Sequence, residues 1–226
     1  SALADIGVDL VRVGSPYAVA PGRVRKSDET PYRVFTPFYK VWTTHGWRAP
    51  ADSIPKNFVF QSAPTEQLPQ PSSIPGLVLP PAGEEAAWKM WSEFRKNALA
   101  HYAADRNRPD LAGTSSLSHH LKYGEIHPRS VLAELGDSDE VFRKEICWRE
   151  FYADVLFNTP QSTHVSLNEK FDVNMPWASG ATAEEHVNAW KQGQTGFPFV
   201  DAGMRQLRAE GWIHNRVRMV VASFLI

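Results

Sequence analysis

The stretch KEICWREF, residues 144–151, carries a carboxylate, an indole and a guanidinium at helical spacing. Glu145 and Trp148 stand three apart and Arg149 stands four from Glu145, so on a helix the three share one face. A carboxylate accepts from imide N–H groups and an indole stacks on a flat ring, so this face could hold a planar ligand. The same spacing also describes an i,i+4 ion pair beside a core tryptophan.

Two further stretches have chemical potential. GTSSLS, residues 113–118, sets serial hydroxyls before a helical pattern. Hydroxyls and the free N–H groups of a helix start can bind phosphate; the plainer alternative is an N-cap, with Ser116 or Ser118 capping the next helix. It is not a Walker loop, because the lysine and the glycine spacing are missing. EGWIHNRVRM, residues 210–219, crowds polar groups before the apolar run Val220–Ile226. Asn215 and Arg218 are three apart and share a face, Arg216 points elsewhere, and Arg205 and Arg208 precede them. The four arginines between 205 and 218 could touch phosphates, or could be solvated or paired surface groups.

Other residue types offer less. The eight histidines show neither HExxH nor paired Cys/His spacing, so no metal site is expected. His119 and His120 are expected on a helix surface. Nothing resembles a nucleophile elbow. Most of the eight tryptophans should be core; Trp190, in NAWKQG, precedes a polar helix end and is expected near the surface, either incidentally or as a redox relay.

Positioning these groups falls to three zones. Residues 1–48 hold a short helix candidate, an apolar strand candidate DLVRV, and the aromatic-rich TPYRVFTPFYKVW. Residues 49–82 are proline-rich and predict an extended connector, since proline fixes φ and removes donors. Residues 83–226 predict helices almost throughout. One runs over 83–106 with Ala87, Met90, Trp91, Phe94, Ala98 and Tyr102 on its face. Another starts with the acidic turn DSDE. Two more are closed by Gly193 and Gly211. The last starts near Ile213, with Val217, Val220, Val221 and Phe224 on one stripe.

Composition bounds the function. The net charge is −1 over 226 residues, so any anionic partner must meet a local patch and not a global field. A single cysteine, Cys147, excludes an internal disulfide framework and fits a reducing compartment. No apolar run approaches the roughly 20 residues that span a bilayer. The chain lacks an initial methionine and stops at VVASFLI inside a helical pattern without a C-cap signal, which predicts a piece of a longer protein.

Taken in order, GTSSLSHHLKYGEIHPRSV, EICWREFYADVLF, AWKQGQTGFPFVDAGMRQL and GWIHNRVRMVVASFL resemble the helical FAD-binding domain of the DNA photolyase/cryptochrome family. The form HNRVRM is most like a class I cyclobutane pyrimidine dimer photolyase; plant cryptochromes typically carry Asp where Asn215 stands. The resemblance implies a mainly α fold. Residues 1–48 would be the tail of an α/β Rossmann-like antenna domain, 49–82 the interdomain linker, and 83–226 the first part of the FAD-binding domain. It also implies an activity, the light-driven splitting of pyrimidine dimers by an electron from reduced FAD. A blue-light photoreceptor of cryptochrome type is the alternative.

Position by position, the resemblance places Tyr102, Thr114, Ser115, Ser116, Leu117, Ser118, Phe142, Arg149 and Arg218 at the FAD. Glu145 and Trp148 would receive the flipped-out dimer, with Asn215 facing lesion and flavin. Arg106 and Arg216 match DNA-contacting positions, and Trp190 matches the outermost tryptophan of the photoreduction chain. Further expectations are UV-damaged DNA as partner, a monomeric cytoplasmic protein, no membrane, and an antenna chromophore of folate or deazaflavin type in a domain outside this sequence.

Overall fold

The computed structural model describes residues 4–7, 9, 14–51, 64, 66–67 and 73–226. Among them the fold is helical and contains no strand. The helices are α1 (Phe35–His45), α2 (Glu84–Asn97), α3 (Tyr102–Asp105), α4 (Ser118–Tyr123), α5 (Pro128–Ala133), α6 (Glu140–Asn158), α7 (Glu169–Asn174), α8 (Ala181–Gln192), α9 (Pro198–Glu210) and α10 (Asn215–Leu225). Residues 10–13 of the strand candidate DLVRV, and most of the proline-rich zone, lie outside the described residues. The helix expected over 83–106 is broken at Ala98, whose φ of −131° leaves the helical range, and continues through a 3₁₀ turn into α3.

The chain folds as two compact units, Ser1–Pro50 with Leu117–Leu167, and Ala51–Ser116 with Asn168–Ile226. In the first, α1 packs on α6. α6 buries Phe142, Ile146, Cys147, Glu150, Phe151 and Asp154, a single helical stripe that includes two carboxylates. Their partners are backbone donors of the irregular segment that precedes α1, where Ala18, Val19 and Val24 are buried. Buried backbone N–H groups need acceptors. Glu150, 2 % exposed, accepts from Ala18 N, from Val19 N at 3.0 Å and from the Trp42 indole at 2.7 Å. One turn on, Asp154 accepts from Gly22 N at 2.6 Å; one turn further, Asn158 accepts from Arg25 at 2.8 Å. Burial pushes the Glu150 carboxyl above its ordinary pKa, opposed by the Val19, Trp42 and Ala18 donors. Burial likewise pushes the Cys147 thiol up, which leaves it unreactive.

The second unit contains α8, α9 and α10 around Val200, Met204, Ile213, Val217 and Val221, with Trp190 packed against them. Gly203 lets α9 approach α10: a Cβ there would lie 2.4 Å from Val217 Cγ1. Gly193 and Gly211 close α8 and α9 in the left-handed conformation, as their positions predict. Ahead of α2, the Val78 N–H bonds Ala209 O at 2.7 Å and so caps the end of α9. On the expected α10 stripe, Val217 and Val221 are buried while Val220 and Phe224 are exposed.

Candidate functional site

The unbroken α6 fixes the register of the first group of candidates. Glu145 and Trp148 are half-buried on it, and Phe142 is buried one turn before Glu145. The Trp148 ring lies flat on Phe35 of α1, with centroids 3.6 Å apart and planes 7° apart. Phe151 meets it edge-on at 5.7 Å. Arg149 donates to Pro16 O at 3.1 Å and Leu121 O at 3.0 Å, with its guanidinium 4.4 Å from the Tyr17 ring centre. It therefore fastens the segment before α1 and the end of α4 to α6.

At the hydroxyl-rich turn, Ser116 takes a left-handed φ of 51°, unusual for a residue with a Cβ. α4 begins at Ser118, its cap position is Leu117, and no side chain caps it. The N-cap alternative for Ser116 or Ser118 is thus not realised. Leu117 is buried; Thr114, Ser115 and Ser116 are half-buried and Ser118 is exposed.

The second unit joins the start of α10 to the end of α3. Tyr102 is buried, and the Arg106 guanidinium lies 5.5 Å from its ring centre. Arg216 donates to Asn107 at 2.7 Å. His214, 2 % exposed, is the N-cap of α10, and its Nδ1 accepts the Arg216 N–H at 3.1 Å. Burial holds its pKa below the ordinary value, the charge of Arg216 lowers it further, and the Arg106 backbone opposes. Arg106 and Arg216 thus share one joint. Asn215, at the head of α10, is exposed, and Arg218 folds back to Ile213 O at 3.1 Å.

Trp190 is half-buried and donates its indole N–H to Val221 O at 2.9 Å. Arg205 and Arg208 point to the end of α8: Arg205 donates to Gly193 O at 2.8 Å and Arg208 to the Gln192 side chain at 2.5 Å. Cations suit that helix end, whose carbonyls lack intrahelical partners. Of the four arginines between 205 and 218, these two serve architecture.

Three residues escaped the sequence reading. His120, expected on a surface, is fully buried; its Nδ1 pairs with Glu125. Phe35 lay in an aromatic-rich stretch with no spacing to mark it as the partner of Trp148. His214 lacks the small side chain that signals a cap; the sequence put the helix start near Ile213, and α10 begins at Asn215.

Similarity to known proteins follows this geometry. The family described as the FAD-binding domain of DNA photolyase matches residues 142–226, which hold most of α6 and all of α7–α10. Over those residues the chain matches the FAD-binding domain of the DNA photolyase family. It is 37 % identical over 224 residues to the deoxyribodipyrimidine photo-lyase of Alkalihalophilus pseudofirmus, covering 92 % of this chain and 46 % of that protein. It is also 37 % identical over 226 residues to the deoxyribodipyrimidine photo-lyase of Halobacterium salinarum, covering 91 % and 46 %. Among solved structures, a class III photolyase from Agrobacterium tumefaciens superposes with a TM-score of 0.85 at 34 % identity, covering 100 % of this chain and 50 % of its own. A Synechocystis cryptochrome gives 0.76 at 26 % identity, covering 99 % and 50 %. The chain spans about half the length of these photolyase relatives. Among the described residues, no helix is long and apolar enough to cross a membrane.

Proposed function

We propose that this photolyase-family protein repairs cyclobutane pyrimidine dimers in DNA, using light and reduced FAD. The reading is carried by Glu145 and Trp148, half-buried on one continuous helix, α6, within the segment matched by the photolyase domain.

The donor chemistry of the hydroxyl-rich turn fits a flavin dinucleotide. Thr114, Ser115, Ser116 and Ser118 bring hydroxyls to a helix start that no side chain caps, and such N–H groups suit phosphate oxygens. Tyr102, Leu117, Phe142, Arg149 and Arg218 are proposed as the further FAD-lining set, with Arg149 and Arg218 acting through the backbone they fasten. Reduced FAD, when bound, supplies the photoexcited electron.

The chain's own residues do the rest. A dimer stacks and pairs poorly, so extruding it from the duplex costs less than flipping an intact base. Trp148 would receive it by stacking, worth about 1–3 kcal/mol per base. Glu145 would accept from its imide N–H and stabilise the charge it gains. The exposed amide of Asn215 would face the same lesion. Arg106 and Arg216 would position the phosphates, which fix register without reading sequence. Trp190 would relay electrons from the surface during photoreduction.

The experiment is illumination of the intact, FAD-loaded protein with dimer-bearing and with (6-4)-bearing oligonucleotides. Restoration of the dimer sites alone is expected; a flavoprotein that restores neither lesion would reject repair in favour of light signalling. Glu145→Gln should lower the quantum yield of repair more than it lowers DNA affinity, and equal loss of both would remove Glu145 from the electron-transfer step.

A further inference from the structure

The geometry points to Phe35 as the positioning residue that sets the plane of Trp148 for stacking, an inference that rests on the proposed dimer-binding role of Trp148. Aromatic pairs left to themselves prefer offset or edge-to-face arrangements over a face-to-face sandwich. Phe35 and Trp148 are nevertheless almost cofacial, 3.6 Å apart and 7° from parallel. Their surroundings impose that arrangement. Phe35, Phe38 and Trp42 fall at i, i+3 and i+7 on α1, so they share a face. Phe38 is buried against Phe151 at 5.2 Å, and the Trp42 indole is bonded to buried Glu150 at 2.7 Å. Two anchors to α6 therefore hold α1 in register, and its first residue is left lying on the indole. Phe151, edge-on to both rings, closes the side of the pair.

A ring has two faces. Phe35 covers one face of Trp148, and Tyr152, one turn on along α6, lies 5.6 Å away and 24° from parallel, so a stacked ligand must reach the indole on the face that Phe35 leaves, beside the Tyr152 ring. An indole on a free helix surface would sample several rotamers, and ordering such a side chain on binding costs about 0.5–1.5 kcal/mol. Backed by Phe35, Trp148 meets its ligand already ordered. The aromatic-rich stretch that opens α1 thereby acquires a role in the site, through Trp148 and without touching the lesion.

The test compares variants of the intact, FAD-loaded protein, binding a dimer-bearing duplex and the same undamaged duplex in the dark. Trp148→Ala tests the underlying reading: it should erase the preference for the dimer, and retention of that preference would overturn both the reading and this inference. Phe35→Leu keeps the apolar volume and removes the flat face, so it guards against simple unfolding. It should cost about threefold to tenfold in dimer affinity, with undamaged-DNA affinity and flavin content unchanged. Phe35→Tyr, which restores the flat ring, should recover the affinity. If Trp148→Ala loses the dimer preference while Phe35→Leu keeps it in full, Phe35 is packing alone and the inference falls. It falls equally if Phe35→Leu and Phe35→Tyr behave alike.

Discussion

His214 must be neutral to do its work. Its Nδ1 accepts the Arg216 N–H at the start of α10, so the ring proton belongs on Nε2. A second proton would convert the cap acceptor into a donor and place a buried cation beside two arginines. Burial and the charges of Arg216 and Arg218 hold the folded pKa below the ordinary value. Burial, then His120, lowers His119 as well. The sign follows from linkage: the unfolded chain takes up these protons near about pH 6.5, the folded chain at lower pH. Stability contributed by neutral imidazoles is therefore complete above about pH 6.5 and is lost as pH falls below it. Urea midpoints should drop between about pH 7.5 and 5.5. His214→Asn, which keeps a cap acceptor and removes the titration, should flatten that slope; an unchanged slope would assign the acid sensitivity elsewhere. This residue was illegible in the sequence because histidine is not a preferred cap. Glu145 and Trp148 were legible because three-residue spacing on an uninterrupted helix determines a shared face. The partner lying on Trp148 was not, since Phe35 is distant in sequence and only tertiary packing brings it there.

Among the elements, α6 departs most from its sequence pattern. Glu150 and Asp154 are carboxylates, yet both are buried, because their partners include backbone donors more than 130 residues earlier. No local pattern encodes a pairing of that span. Glu150→Gln keeps the shape but replaces one accepting oxygen with a donor, stranding at least one of the Ala18, Val19 and Trp42 donors. Each stranded buried donor costs about 1–3 kcal/mol, so thermal melting should fall by several degrees; a variant as stable as its parent would show that these donors find other acceptors. Helix ends were easier to read. Gly193 and Gly211 close α8 and α9 where expected, since a left-handed residue at a helix end favours glycine. The break at Ala98 had neither glycine nor proline to announce it. Gly203 carried no signal either, being mid-helix, where only contact with α10 explains it. Gly203→Ala should destabilise by about 1–3 kcal/mol through overpacking, and the added change Val217→Ala should recover part of the loss in the same denaturation assay.

At the scale of the whole molecule, a net charge of −1 means that duplex DNA is met by a few placed cations or not at all. The structure sorts the arginines near α10 by what they already do. Arg205 and Arg208 are committed to the end of α8, whereas Arg106 and Arg216 meet at the α3–α10 joint, one over the Tyr102 ring and the other on the Asn107 amide. If the joint is where phosphates are held, salt dependence will separate the two pairs. Each phosphate neutralised on B-DNA contributes about −0.9 to the slope of log affinity against log salt. Arg106→Ala and Arg216→Ala should therefore each shallow the slope by about one, with dimer and undamaged DNA affected alike. Arg205→Ala should leave the slope unchanged and lower the melting temperature instead, because it removes a carbonyl partner at Gly193 and no phosphate contact. A matching loss of slope for Arg205→Ala would mean that the binding face extends over α9, and the division between architectural and DNA-facing arginines would have to be redrawn.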